Sequence, residues 1–140
     1  MKSPNEIFNL YKQKRLTLTP ERKLIIELLH QDTSHPTIDE IHQRARQQMP
    51  DIPRTLIYNT ITELEAFGEI TKLDFVDGST PRFDPNPAPH NHLYCTSCQR
   101  AFDIAIDPDE FNIDPEKFSG FAIEKYQVTF YGICPDCLES

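Results

Sequence analysis

The segment Pro89-His90-Asn91-His92-Leu93-Tyr94-Cys95-Thr96-Ser97-Cys98 places two histidines and two cysteines within nine residues. A second cysteine pair, Cys134-x-x-Cys137, stands near the end of the chain. Four thiolates in two such pairs, each at a tight turn, can close a tetrahedron around zinc. The competing chemistry is thiol redox of the thioredoxin type, which calls for a strand, a turn and a helix around one pair. Neither pair precedes a convincing helix. A closed four-sulfur site has no open coordination position, so its role is structural. It would tie the last residues back to Cys95 and Cys98 and staple a domain of about 50 residues, too small for its core to be safely stable alone.

That assignment leaves the histidines unused. His90 and His92 are two residues apart, so on an extended chain they point to one side. Two ligands do not make a site, and by spacing alone they read equally well as solvated loop side chains. Other donors change the balance. Asp84 lies six residues before His90. Asp103 sits inside the apolar run Ala101-Phe102-Asp103-Ile104, where an unpaired carboxylate is costly. His35 occupies a turn and is followed by a proline. Three imidazoles and two carboxylates suit a borderline divalent ion such as Fe, Mn, Co or Zn, although spacing does not bring His35 to the others.

These residues need elements to hold them. The chain has 140 residues, 38% hydrophobic and 26% charged, within the range of one domain or two small ones. No apolar run approaches the roughly 20 residues of a membrane span. The N-terminus lacks the apolar core of a signal peptide, so a cytoplasmic protein is expected. In that compartment metal ligation is favoured over disulfides. The net charge of −8 opposes nucleic-acid binding, but it is unevenly spread. Residues 1–62 carry nine Lys/Arg and seven Asp/Glu, whereas the rest carries five and fifteen. Only the N-terminal part can face phosphates comfortably.

That part reads as successive helices. Thr19-Pro20-Glu21 opens one with a capping hydroxyl and a proline at the first helical position. Its apolar stripe is Leu24, Ile25, Leu28 and Leu29. Thr37-Ile38-Asp39-Glu40 is a capping box, and a third helix after Pro53 buries Leu56, Ile57, Thr60, Ile61 and Leu64 before Gly68 ends it. Asp77-Gly78 then marks a hairpin between residues 69–75 and 81–84. Three helices and a hairpin are the layout of a winged helix, whose third helix enters the DNA major groove. Residues 81–89, with four prolines, read as a semi-rigid connector. Beyond it, residues 92–95, 100–106 and 124–131 predict a small antiparallel sheet, with a short helix near Pro115 to Phe118.

The stretches LTPERKLIIELL, HPTIDEIH, IYNTITELEAFGEITKL, RFD, HNHLYCTSC and YGICPDC together resemble the ferric uptake regulator (Fur) family, from about Leu16 to Cys137. The chain looks most like its peroxide-sensing (PerR) branch. The resemblance implies an α+β chain: an N-terminal winged-helix DNA-binding domain over residues 1–83, then a small C-terminal α/β dimerisation domain over residues 84–140 with a structural four-cysteine zinc site. It implies a regulatory site of His35, Asp84, His90, His92 and Asp103, the last being Asp where iron-sensing relatives usually carry Glu. The implied protein is a homodimeric repressor that binds double-stranded operator DNA when Fe(II) or Mn(II) is in that site. Peroxide then acts through Fe(II) to oxidise a ligand histidine, His35 or His90, and DNA is released. Manganese would hold the repressor without sensing. Peroxide is the only small-molecule reactant expected. The expected DNA contacts are Arg54, Thr55 and Tyr58, with Arg15 and Arg22.

The recognition helix departs from the family pattern. Pro53-Arg54-Thr55-Leu56-Ile57-Tyr58 puts Leu56 where a threonine commonly faces DNA; Arg54 and Thr55 can compensate at phosphate or a base edge. The alternative reading is a Fur- or Zur-type repressor that reports iron or zinc availability and ignores peroxide. A metalloenzyme is a third class, but the chain has no convincing nucleophile–base set or glycine-rich phosphate loop. An enzyme is not expected.

Overall fold

In the computed structural model, residues 1–86, 90–106, 115–124 and 126–140 are described. The chain divides into two compact units, Met1–Pro87 and Ala88–Ser140.

Among the described residues of the first unit, four helices precede a two-stranded hairpin. The helices are α1 (Pro4–Gln13), α2 (Pro20–Leu29), α3 (Ile38–Arg46) and α4 (Arg54–Ala66). The first was not predicted. Its signal is local: the Ser3 hydroxyl accepts the Glu6 N–H at 3.4 Å and donates to the Glu6 carboxylate at 2.9 Å, with proline at the first helical position. Helix α1 buries Ile7 and Tyr11 completely against α2 and α4 neighbours such as Ile25 and Leu64. Thr19 and Thr37 cap α2 and α3 as expected, accepting the N–H groups of Arg22 and Glu40 at 3.2 and 3.1 Å. Pro53 precedes α4 without a side-chain cap.

The hairpin strands β1 (Thr71–Leu73) and β2 (Arg82–Asp84) are shorter than predicted and antiparallel, with Lys72 opposite Phe83. Between them Gly78 has φ +75°, and Asp77 accepts the Ser79 N–H at 3.0 Å. Residues 82–84, assigned by sequence to the connector as well as to the hairpin, are strand; 87–89 lie outside the described residues. Strand β2 is buried on both faces. Phe83 donates its N–H to the Pro36 carbonyl at 2.9 Å, and the Arg82 guanidinium donates to the His35 carbonyl at 2.9 Å. The strand is thus bound to the turn before α3.

The second unit is built on a three-stranded sheet in the order β4 (Ala101–Ile104), β3 (Asn91–Cys95), β5 (Thr129–Gly132). Strand β3 pairs antiparallel with β4 but parallel with β5, which corrects the expected all-antiparallel sheet. Strand β4 itself returns the chain: it ends at Ile104 opposite Asn91, and β5 begins at Thr129 opposite His92, so β5 enters beside the same end of β3 and on its other edge. A single 3₁₀ turn covers Pro115–Phe118, and α5 (Pro135–Leu138) follows β5. One face of this sheet carries Phe102, Leu93 and Phe130 in register across the strands, each about two-fifths exposed. No helix among the described residues is long and apolar enough to cross a membrane.

Candidate metal centres and recognition helix

Strand β3 carries side chains of two candidate metal-ligand clusters. At its end, Cys95 and Cys98 bracket a turn in which Gln99 takes φ +63° and returns its N–H to the Cys95 carbonyl at 2.8 Å. Cys134 caps α5 and Cys137 lies within that helix. The four Sγ atoms lie within 4.8 Å of one another, with Cys95–Cys137 at 3.8 Å and Cys98–Cys134 at 3.9 Å. A tetrahedron with Zn–S bonds of about 2.3 Å requires S···S separations of roughly 3.8 Å. The cluster fits zinc on that measure. Backbone N–H groups of Cys98 and Cys134 donate to Cys95 Sγ at 3.4 and 3.3 Å, which brings its thiol down to about 6. The Cys98 thiol is lowered first by the Arg100 guanidinium, whose Nε donates to Sγ at 3.2 Å.

Further back on β3, His92 faces Asp103 of β4 across the ladder. Asp103 Oδ1 lies 3.4 Å from His92 Nε2 and 2.9 Å from His90 Nε2, and the two imidazole rings stand 4.5 Å apart. His92 is 1% exposed. On its other side the Gln127 amide meets Nδ1 at 3.2 Å, holding the ring and leaving Nε2 directed at the carboxylate. Gln127 was not singled out in the sequence, and no spacing signal points to it, since its position follows from β5 lying parallel to β3. Two imidazoles and a carboxylate at these separations can share one divalent ion.

In the first unit, His35 and Asp84 form a second pair, Nε2 to Oδ2 at 3.4 Å, with both residues almost fully buried. His35 holds φ +53°, a left-handed conformation that costs on the order of 1–3 kcal/mol in a non-glycine residue. The surrounding hydrogen bonds to its carbonyl and to Pro36 keep it there. Asp84 Oδ1 accepts the Asn86 N–H at 2.9 Å.

The expected DNA contacts divide. Helix α4 buries Ile57, Thr60, Ile61 and Leu64, which turns Arg54, Thr55 and Tyr58 to the outside, together with Asn59. Asn59, which is not among the expected contacts, stands four residues after Thr55 on the same helical face. Leu56 is half-buried and packs against the core, so it does not stand in for an outward threonine. Arg54 pairs with Asp39 at 2.6 Å in an exposed contact. Arg15 is exposed beyond α1 with φ +57°. Arg22 is engaged elsewhere. Its Nε and Nη2 clamp the Glu63 carboxylate at 3.1 and 2.7 Å, and Nη1 donates to the Thr17 carbonyl at 2.9 Å. Tyr11 donates its hydroxyl to the same carboxylate at 2.5 Å. The fork of Arg22 therefore ties α2 to α4 inside the unit, which argues against the phosphate contact expected of it.

Comparison with known proteins agrees with this layout. The model of the ferric uptake regulator family matches residues 13–131. The peroxide-responsive repressor PerR of Staphylococcus epidermidis is 32% identical over 123 residues, covering 87% of this chain and 81% of that protein. Among solved structures, PerR from Streptococcus pyogenes, described for peroxide sensing and gene regulation, is 27% identical with a TM-score of 0.57, covering 98% and 94% of the two chains. The ferric uptake regulator of Helicobacter pylori superposes with a TM-score of 0.83 at 21% identity, covering 99% and 96%, a likeness of fold alone.

Proposed function

Because the chain belongs to the ferric uptake regulator family, a family of transcription regulators and not of enzymes, we propose that it is a metal-dependent repressor that senses hydrogen peroxide by oxidation of its own ligand histidines. The observation that carries the reading is the convergence of His90 and His92 on one carboxylate, Asp103. Likeness to peroxide-responsive repressors at about 30% identity supports it.

In this reading Cys95, Cys98, Cys134 and Cys137 hold a permanent zinc, because four soft thiolates suit that ion and leave no open position. His90, His92 and Asp103 supply harder donors for an exchangeable Fe(II) or Mn(II), and His35 and Asp84 complete the set. His35 already faces the Asp84 carboxylate, and His90 and His92 already face that of Asp103, so little rearrangement within either set is needed to present donors. Fe(II) held there would lend an electron to break the peroxide O–O bond and regain one as the ring is oxidised, which Mn(II) would do poorly. The C–H of the His35 or His90 imidazole takes up one oxygen atom, and the second leaves as water. An oxidised ring is a poor ligand. The outer face of α4, with Arg54, Thr55, Tyr58 and Asn59, meets the operator major groove. The apolar row Phe102, Leu93 and Phe130 faces a second copy of the chain, which makes the repressor a homodimer.

The test is peptide mass spectrometry after mild peroxide treatment of zinc-loaded protein carrying either Fe(II) or Mn(II). An added 16 Da on His35 or His90 in the iron form alone is the expected result. Unmodified histidines with metal-dependent DNA binding would make the protein a sensor of metal availability instead.

A further inference from the structure

Arg100 lies outside both ligand sets, yet it spans the four-cysteine cluster. Its Nε donates to Cys98 Sγ at 3.2 Å and its Nη2 reaches Cys134 Sγ at 3.7 Å. One guanidinium therefore touches a sulfur from each Cys-x-x-Cys pair. The same Nη2 donates to the Asp136 carboxylate at 3.2 Å, and the guanidinium stands 5.4 Å from the Phe102 ring centroid. Those two contacts fix its direction. The backbone N–H groups of Cys98 and Cys134 are directed to Cys95, so Arg100 supplies side-chain donors to two sulfurs that those amides do not reach.

Four thiolates around a divalent ion leave two negative charges on sulfur, and that charge is what an oxidant attacks. Cationic N–H donors withdraw it and lower the nucleophilicity of the sulfur. A protein that meets peroxide through its histidines needs its permanent zinc site to remain unreactive. Resting on the four-cysteine zinc reading, we propose that Arg100 is a positioning and charge-compensating residue that protects the zinc–thiolate cluster from oxidation by peroxide. The reaction it slows is the transfer of two electrons from two thiolates to hydrogen peroxide. An S–S bond forms, the O–O bond breaks, two protons are taken up to give two waters, and the zinc ion is released.

The experiment uses the full chain, zinc-loaded and free of iron, so that histidine oxidation does not contribute. Zinc released to a chromogenic chelator is followed with and without hydrogen peroxide, for the native chain, Arg100→Gln, Arg100→Lys and Asp136→Asn. In Arg100→Gln the peroxide-dependent rate should rise roughly three- to tenfold, while release to chelator alone stays unchanged. Arg100→Lys should fall between, keeping the charge but losing the fork. Asp136→Asn should show a smaller rise, which keeps the test alive if Arg100→Gln does not fold. An unchanged peroxide rate overturns the proposal, and so does an equal rise in both rates, which would mean that Arg100 only stiffens the turn. If native protein binds no zinc, or Cys95→Ser keeps it, the four-cysteine site itself fails, independently of Arg100.

Discussion

His92 and Asp103 are register partners in the β3–β4 ladder, and the imidazole Nε2 lies 3.4 Å from the carboxylate. Their meeting is set by backbone hydrogen bonds and not by a loop. A one-residue slip of β4 would send Asp103 to the other face of the sheet, beside Leu93 and Phe130. The candidate regulatory chemistry therefore depends on strand register, and so does the orientation of His92 by Gln127.

Gln127→Ala should weaken Mn(II) binding by roughly 10–100-fold, the usual effect of losing an outer partner of a ligand histidine. The measurement is calorimetric titration of zinc-loaded protein with Mn(II). Unchanged affinity would show that the amide serves only to pack against β3.

Removal of zinc should unfold one unit and spare the other. In Cys98→Ser, or after strong chelation, the β3–β5 pairing loses the link between Cys95 and α5. Structural zinc sites of this kind supply on the order of 10–16 kcal/mol, which the small core of the second unit does not replace. Hydrogen exchange should show β3, β4 and β5 losing protection while α2 and α4 keep it. Equal loss in both units would sink this division.

Arg22 and Arg54 should separate by assay. Arg22→Ala removes one partner of a carboxylate shared with Tyr11, and should lower the stability of the first unit by about 1–3 kcal/mol. Arg54→Ala should leave stability nearly unchanged, because its pair with Asp39 is exposed, and should reduce the salt slope of operator binding by about 1. Denaturant melts and salt-dependent binding isotherms distinguish the two. A reversal of the pattern would return Arg22 to the DNA surface.

Asp32 predicts an acid limb. Burial pushes its carboxyl up, but hydrogen bonds from Ser34 and the Arg44 guanidinium outweigh that and hold it below the ordinary aspartate value. A group lowered in the folded state contributes stability above its unfolded pKa of about 3.9, and this is lost as pH falls through the folded value. Stability of the first unit should decline below about pH 4, and Asp32→Asn should flatten that limb. Melts between pH 7 and pH 3 measure it; identical slopes in the two proteins would exclude Asp32 as the cause.

Much of this protein is legible from short stretches, because the forces involved act over a few residues. Thr19, Thr37 and the Asp77-Gly78 turn satisfy backbone groups within three residues of themselves, and their elements form where the sequence predicts. The cysteine pairs are legible for the same reason, since two residues between thiols suffice for a chelating turn. The signal for helix α1 in Ser3-Pro4-Asn5-Glu6 is equally local. Other features depend on partners far along the chain. Nothing near Gly132 says that β5 runs parallel to β3. No residue beside Arg22 announces Glu63, 41 positions away. Short stretches are enough to identify the candidate ligands and the turns that carry them. Tertiary structure alone decided which side chain faces which, because strand register and helix rotation are selected by the burial of whole faces and not by any single residue.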